Sequence, residues 1–176
     1  AESYYRKWSN STVSIFNPNR RTELSANVSN PNVELFFEIA HGSHRVFTAS
    51  TSGRYYSHHS SEPNVREDMQ DRPPIKFAFI GSCGGMDKTG DGSFSYEFRK
   101  GQMKNTVTVG YTGMANDDGW PKAKPWQDKM FSYMDDHYTI KEAFDLACAE
   151  YPKIADAVKF AGDENLKIGN LPPYKA

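Results

Sequence analysis

An imidazole and a thiol each stand just past an apolar run: His41 follows Val33 to Ala40, and Cys83 follows Ile75 to Ile80 after only Gly81 and Ser82. A thiol is the strongest side-chain nucleophile near neutral pH. An imidazole titrates close enough to neutrality to take a proton and return it to a leaving group. Gly42 adjoins the histidine, and Gly84 and Gly85 follow the cysteine. Glycine lets backbone approach a bound molecule and leaves N–H groups to stabilise a developing oxyanion. The pair therefore fits acyl transfer through a thioester, provided both side chains reach one place. That chemistry requires neither a cofactor nor a metal. Taken singly, a free cysteine is more often a small buried hydrophobe, and a lone histidine a hydrogen-bonded structural group. It is the matched placement at two strand ends that favours chemistry. His41, His44 and Cys83, with His58 and His59 downstream, also offer nitrogen and sulfur ligands for zinc. Their spacing is not that of a standard metal motif.

To position such a pair, the chain needs two adjacent strands. Thr12 to Phe16 is a β-branched and aromatic run stopped by Asn17-Pro18-Asn19, which predicts a strand. Arg20 to Val28 predicts a short helix and Val33 to Ala40 a strand. Gly42 to Pro74 reads as a polar loop with one short helix near Val65 to Met69. Ile75 to Ile80 is nearly all apolar, as expected of a central parallel strand covered on both faces. Ser93 to Lys100 predicts a helix, Thr106 to Tyr111 a strand, and Ala115 to Pro125 a loop. Trp126 to Met134 and Ile140 to Glu150 predict helices, the second burying Ile140, Ala143, Phe144, Ala147 and Cys148 along one face. Ile154 to Phe160 extends the helical region, and Gly162 to Ala176 reads as loop. Strands separated by helices or long crossovers imply a mostly parallel sheet, so the fold class is α/β.

The 176 residues suffice for a single domain spanning 1–176. Basic and acidic residues nearly cancel, 21 against 22, so no broad positive field exists to hold nucleic acid. No apolar run has the length to insert into a membrane. Ala1-Glu2-Ser3 carries neither an initiator Met nor a signal segment, so an upstream piece is expected to have been removed or left out. Two cysteines are too few for a disulfide framework. The surplus of Ser, Asn, Thr and Tyr over Leu leans toward a secreted or cell-surface protein.

The strand ends read FEIAHGS at 37–43 and FAFIGSCGGM at 77–86, followed by TVTVGYTGM at 106–114 and IKEAFDLACAEYP at 140–152. In that order, over roughly residues 12 to 160, the chain resembles the caspase-like cysteine peptidases: caspases, legumains, gingipains, clostripain-like enzymes and separases. The likeness is to bacterial and archaeal members in particular. It implies a three-layer α/β/α sandwich and endopeptidase activity on a peptide or protein substrate. Cys83 would attack the scissile carbonyl, His41 would protonate the leaving amine, and the N–H groups of Gly42 and Cys83 would hold the oxyanion. Ser82, Gly84, Thr112, Asp117, Asp118 and Trp120 would contact substrate. The chain departs from the clostripain pattern, which often has Asp two residues before the cysteine, where this sequence has Gly81. Asp87, Asp91, Asp117 and Asp118 remain candidates for an S1 anchor, and P1 preference stays undecided. The family's domain also opens with a strand and helix ahead of those found here, so the chain is a possible fragment. Two other functions compete with the peptidase: an inactive relative that binds a peptide or protein partner, and a metal-dependent hydrolase using His41, His44 and Cys83.

Overall fold

Apolar runs flanked by turn residues pair into a sheet whose centre is uniformly buried. The computed structural model describes residues 2–8, 21–48, 53–58, 61–113 and 120–168. In chain order the elements begin with α1 (Glu2–Trp8), α2 (Arg21–Ser29), β1 (Leu35–Glu38), β2 (Val46–Thr48), β3 (Arg54–Tyr56), α3 (Val65–Asp68) and β4 (Phe77–Ile80). They continue with α4 (Phe94–Arg99), β5 (Val107–Tyr111), α5 (Trp120–Asp135), α6 (Ile140–Glu150), α7 (Pro152–Ala155) and β6 (Val158–Gly162). The protein is mixed α/β, with a four-stranded sheet in the order β1-β4-β5-β6. The first three strands are mutually parallel, and β6 runs antiparallel to β5. β2 and β3 form a separate antiparallel hairpin.

Strand alternation sends side chains to two cores. Phe77, Phe79, Val107, Val109 and Tyr111 pack on one face with Tyr5 and Trp8 of α1, Trp126, Met130 and Phe131 of α5, and Ala143 and Ala147 of α6. Phe36, Ala78 and Ile80 pack on the other with Val28, Val65, Met69, Phe94, Phe98 and the hairpin residues Phe47 and Tyr55. Every residue of β4 and β5 is buried, because each has a strand on both sides. Gly110 makes the closest approach: a Cβ there would lie 2.0 Å from the Ile80 carbonyl oxygen.

The helix ends are fixed by local chemistry. Thr139 and Glu142 form a reciprocal capping box on α6, and Ser93 and Asn64 cap α4 and α3. The end of α2 is held by a residue remote in sequence. The buried Arg72 guanidinium donates to the carbonyls of Val28 and Val33 and, at 2.7 Å, to that of Asn30. Burial pulls this guanidinium down to about 10, so it stays cationic at neutral pH. Arg72→Met strands these carbonyls and is expected to cost about 3 kcal/mol. Urea unfolding should show a lower midpoint at unchanged slope. A loss below about 0.5 kcal/mol, the range of an ordinary surface substitution, would contradict this capping role.

Three sequence expectations need correction. Ile154 to Phe160 does not extend a helix. α7 ends at Ala155, and β6 closes the sheet by burying Val158 beside Tyr111. Ala115 to Pro125 is not loop throughout, since α5 begins at Trp120 and carries Pro125 inside it. The stretch after Gly42 contains the β2–β3 hairpin as well as α3. Of the stretch read as loop from Gly162 to Ala176, Gly162 ends β6, Lys167 bridges Thr139 and Ile168 is buried, while 169–176 lie outside the described residues. The strand expected at Thr12 to Phe16 lies outside the described residues. No helix among the described residues is long and apolar enough to cross a membrane.

Candidate active site

β1 and β4 are adjacent and parallel, in register from Leu35 opposite Phe77 to Glu38 opposite Ile80. His41 and Cys83 each lie three residues beyond that last shared rung. Paired strands sit about 5 Å apart, and the equal offsets on neighbouring parallel strands put both residues beyond the same end of the sheet. His41 is exposed and Cys83 is half-buried. Neither is sealed in the core, where a purely packing role would put it.

The histidine segment is anchored by the hairpin. The His41 carbonyl accepts the Thr48 N–H at 2.7 Å, Ser43 N–H donates to Val46 at 2.7 Å, and Gly42 bridges Phe47. A Cβ on Gly42 would stand 2.4 Å from the Val46 oxygen, so this close backbone approach demands glycine. The hairpin in turn packs Phe47 against Tyr55 and Phe94, and the Phe94 N–H at the start of α4 donates to His44 at 3.1 Å.

The cysteine sits in a tight turn. Gly85 N–H donates to the Ser82 carbonyl at 3.0 Å, placing Cys83 and Gly84 at the two central positions. Gly84 has φ of 65°, the positive value a type II turn requires at its second central residue. The loop is tied to β5 by Met86 N–H to Tyr111 at 2.9 Å, and by Asp87 Oδ1 accepting the Gly113 N–H at 2.5 Å. On the other side, Gly81 N–H donates to the Glu38 carbonyl at 3.0 Å.

The backbone N–H groups of Gly42 and Cys83 have no acceptor among the described residues. They are the two donors that the resemblance assigns to the oxyanion. The other assigned residues are placed less uniformly. Ser82 is fully buried, so its side chain cannot line an open groove, and Gly84 is buried in the turn. Thr112 is half-buried just past β5, its N–H given to Ala157 at 2.8 Å. Trp120 is the first residue of α5. Asp117 and Asp118 lie outside the described residues, as does His59. Of the remaining acidic candidates, Asp87 is engaged by Gly113 and Asp91 pairs with Arg66 at 2.6 Å.

Among the described residues, no group of three His, Cys, Asp or Glu side chains is arranged to hold a metal. His41, His44 and Cys83 therefore do not form the zinc set that their spacing allowed. Burial, then Lys88 and Arg45, pull the His44 imidazole below its ordinary value, with Asp87 pulling back. The other thiol, Cys148, is half-buried on α6, and burial pushes it up, which lowers its thiolate fraction at neutral pH.

One group at this end of the sheet was not singled out from sequence. Glu38, the last residue of β1, is buried 44 positions before Ser82 and accepts the Ser82 N–H at 3.0 Å on Oε1. Its Oε2 and the Ser82 hydroxyl are both buried and have no hydrogen-bond partner among the described residues. The available signal was period-2 alternation: Glu38 shares a strand face with the buried Phe36.

Comparison with protein-family models, with curated proteins and with solved structures finds no match to this chain.

Proposed function

We propose that this chain is a cysteine endopeptidase domain with a caspase-like three-layer α/β/α fold, acting on a peptide or protein substrate. The observation that carries the reading is the level placement of His41 and Cys83, each three residues past the rung Glu38 opposite Ile80 on adjacent parallel strands. The unengaged N–H groups of Gly42 and Cys83 support it further.

In this reading the Cys83 thiol gives its proton to His41 and its sulfur attacks the scissile carbonyl carbon, the carbonyl electron pair moving onto oxygen. The Gly42 and Cys83 N–H groups, held by the hairpin and the type II turn, stabilise that oxyanion without reorganising. Collapse of the intermediate breaks the C–N bond while His41 delivers a proton to the amine. A water then attacks the thioester carbonyl, giving a proton to His41; the C–S bond breaks, the acid leaves, and His41 returns that proton to the Cys83 sulfur.

The test is reaction with a peptidyl acyloxymethyl ketone panel varied at P1, together with hydrolysis of the matching fluorogenic peptides. The expected result is one adduct per chain, mapped to Cys83, with Cys148 unmodified and one P1 class preferred in both assays. Absence of an adduct and of hydrolysis across the panel would overturn the enzyme reading and favour a peptide-binding role for the same residues.

A further inference from the structure

We propose that Glu38 is the positioning residue of the Cys83 loop, clamping two consecutive N–H groups so that the Cys83 N–H and side chain face outward from the sheet. The inference rests on the peptidase reading for its kinetic consequences, although the clamp itself is a matter of geometry.

The clamp has two jaws on one residue. The Glu38 main-chain oxygen accepts the Gly81 N–H, continuing the β1–β4 ladder by one step, and its side-chain Oε1 accepts the Ser82 N–H, both at 3.0 Å. With those two groups held, the Ser82 carbonyl is left to receive the Gly85 N–H and close the turn. A trans peptide points its N–H opposite to its carbonyl. Since the Ser82 carbonyl faces into the turn, the Cys83 N–H of the same peptide faces away from it. Removing the carboxyl would free the Ser82 N–H and, with it, the plane that sets the oxyanion donor.

Glu38 does this as a neutral acid. Burial pushes its carboxyl up to about 8, with the contacts to Ser82 pulling the other way. The ionisable residues on adjoining segments, His41, His44, Cys83 and Asp87, are not among the influences on it, so among the described residues no cation balances a charge there. Above that range the buried anion demands water, which the packed loop does not supply. The folded protein retains a proton that the unfolded chain, with an ordinary carboxyl near 4.5, gives up. This contribution to stability therefore falls as pH rises from about 4.5 to about 8 and is level beyond.

Glu38→Gln keeps an acceptor for the Ser82 N–H and cannot ionise, whereas Glu38→Ala removes the jaw. Three readouts on the wild type and both variants test the proposal. The first is amide exchange at Ser82, which is independent of catalysis: protection should survive in E38Q and fall at least tenfold in E38A. The second is the pH profile of peptide hydrolysis: the wild type should lose kcat above pH ~8 with KM within about twofold, and E38Q should not. The third is stability in urea: E38Q should exceed the wild type at pH 8 but not at pH 4. Loss of Ser82 protection in E38Q as severe as in E38A would overturn the clamp. Identical alkaline profiles for E38Q and the wild type would overturn the neutral-acid role. A wild type that hydrolyses nothing, with Ser82 protected as expected, would sink the peptidase reading and leave the clamp standing. Should E38A fail to fold, E38Q against the wild type decides through exchange and pH dependence.

Discussion

Cys83→Ser is expected to lower kcat/KM for a peptide amide by at least about 10³-fold, leaving only the residual acceleration that binding and oxyanion donors supply. The fold should be untouched. The turn around position 83 is held by Gly85 N–H to Ser82 and by Glu38 contacts to Gly81 and Ser82, none of which uses sulfur. Circular dichroism and the urea midpoint should therefore match the wild type while activity disappears. Cys148→Ser is the matched control. Its thiol packs beside the core face that contains Trp126, Ala143 and Ala147, so a modest stability loss with activity within about twofold is expected. Equal loss of activity in the two variants would remove Cys83 from the reaction.

His41→Ala should cost less than Cys83→Ser and should depend on the leaving group. General acid catalysis contributes about 10²- to 10⁴-fold where a poor leaving group must be protonated. An amide expels a basic amine and needs that proton, whereas an activated ester expels a stable anion and does not. Amide hydrolysis should thus fall by about that factor, whereas the p-nitrophenolate burst from an ester of the same acyl group, which reports attack by Cys83 without hydrolysis of the thioester, should fall only by about the tenfold that His41 adds to thiol reactivity. Among the described residues His41 gives only its backbone carbonyl, to the Thr48 N–H, so truncating the exposed ring leaves the hairpin anchored. A uniform drop for amide and ester alike would point to damaged geometry rather than to a missing proton donor.

What the sequence revealed and what it concealed have the same physical origin. The strands at Leu35–Glu38, Phe77–Ile80 and Val107–Tyr111 were legible because each is a short apolar run with a turn signal after it, a composition that burial on both faces of the sheet selects in β4 and β5. β6 was not. Lys159 is exposed between the more buried Val158 and Phe160, and five residues of an edge strand just after α7 differ little from a further turn of helix. The start of α5 was hidden by Pro125, which normally marks an end rather than an interior position. The hairpin escaped because its apolar content is slight: Phe47 and Tyr55 alone turn inward, and the partner they meet, Phe94, is remote in sequence. At the candidate site, the positions of His41 and Cys83 past neighbouring parallel strands could be read from the sequence, whereas the hairpin contact that demands glycine at 42 could not. The role of Glu38 could not. A carboxylate at a strand end is ordinarily solvated, and only the three-dimensional pairing of β1 with β4 puts it under Ser82. The burial of the Ser82 side chain was likewise not legible from its place beside the cysteine.

The proposed reaction depends on His41 acting on the thiol of Cys83. The most direct test is the rate of Cys83 alkylation by iodoacetamide at pH 7, followed by peptide-resolved mass spectrometry in the wild type and in His41→Ala. An imidazole at the same sheet end raises thiolate reactivity, so the variant should react at least tenfold more slowly at Cys83, with Cys148 slow and unchanged in both. Superimposable Cys83 rates would show that the two residues do not act together, and the peptidase assignment would fall with them.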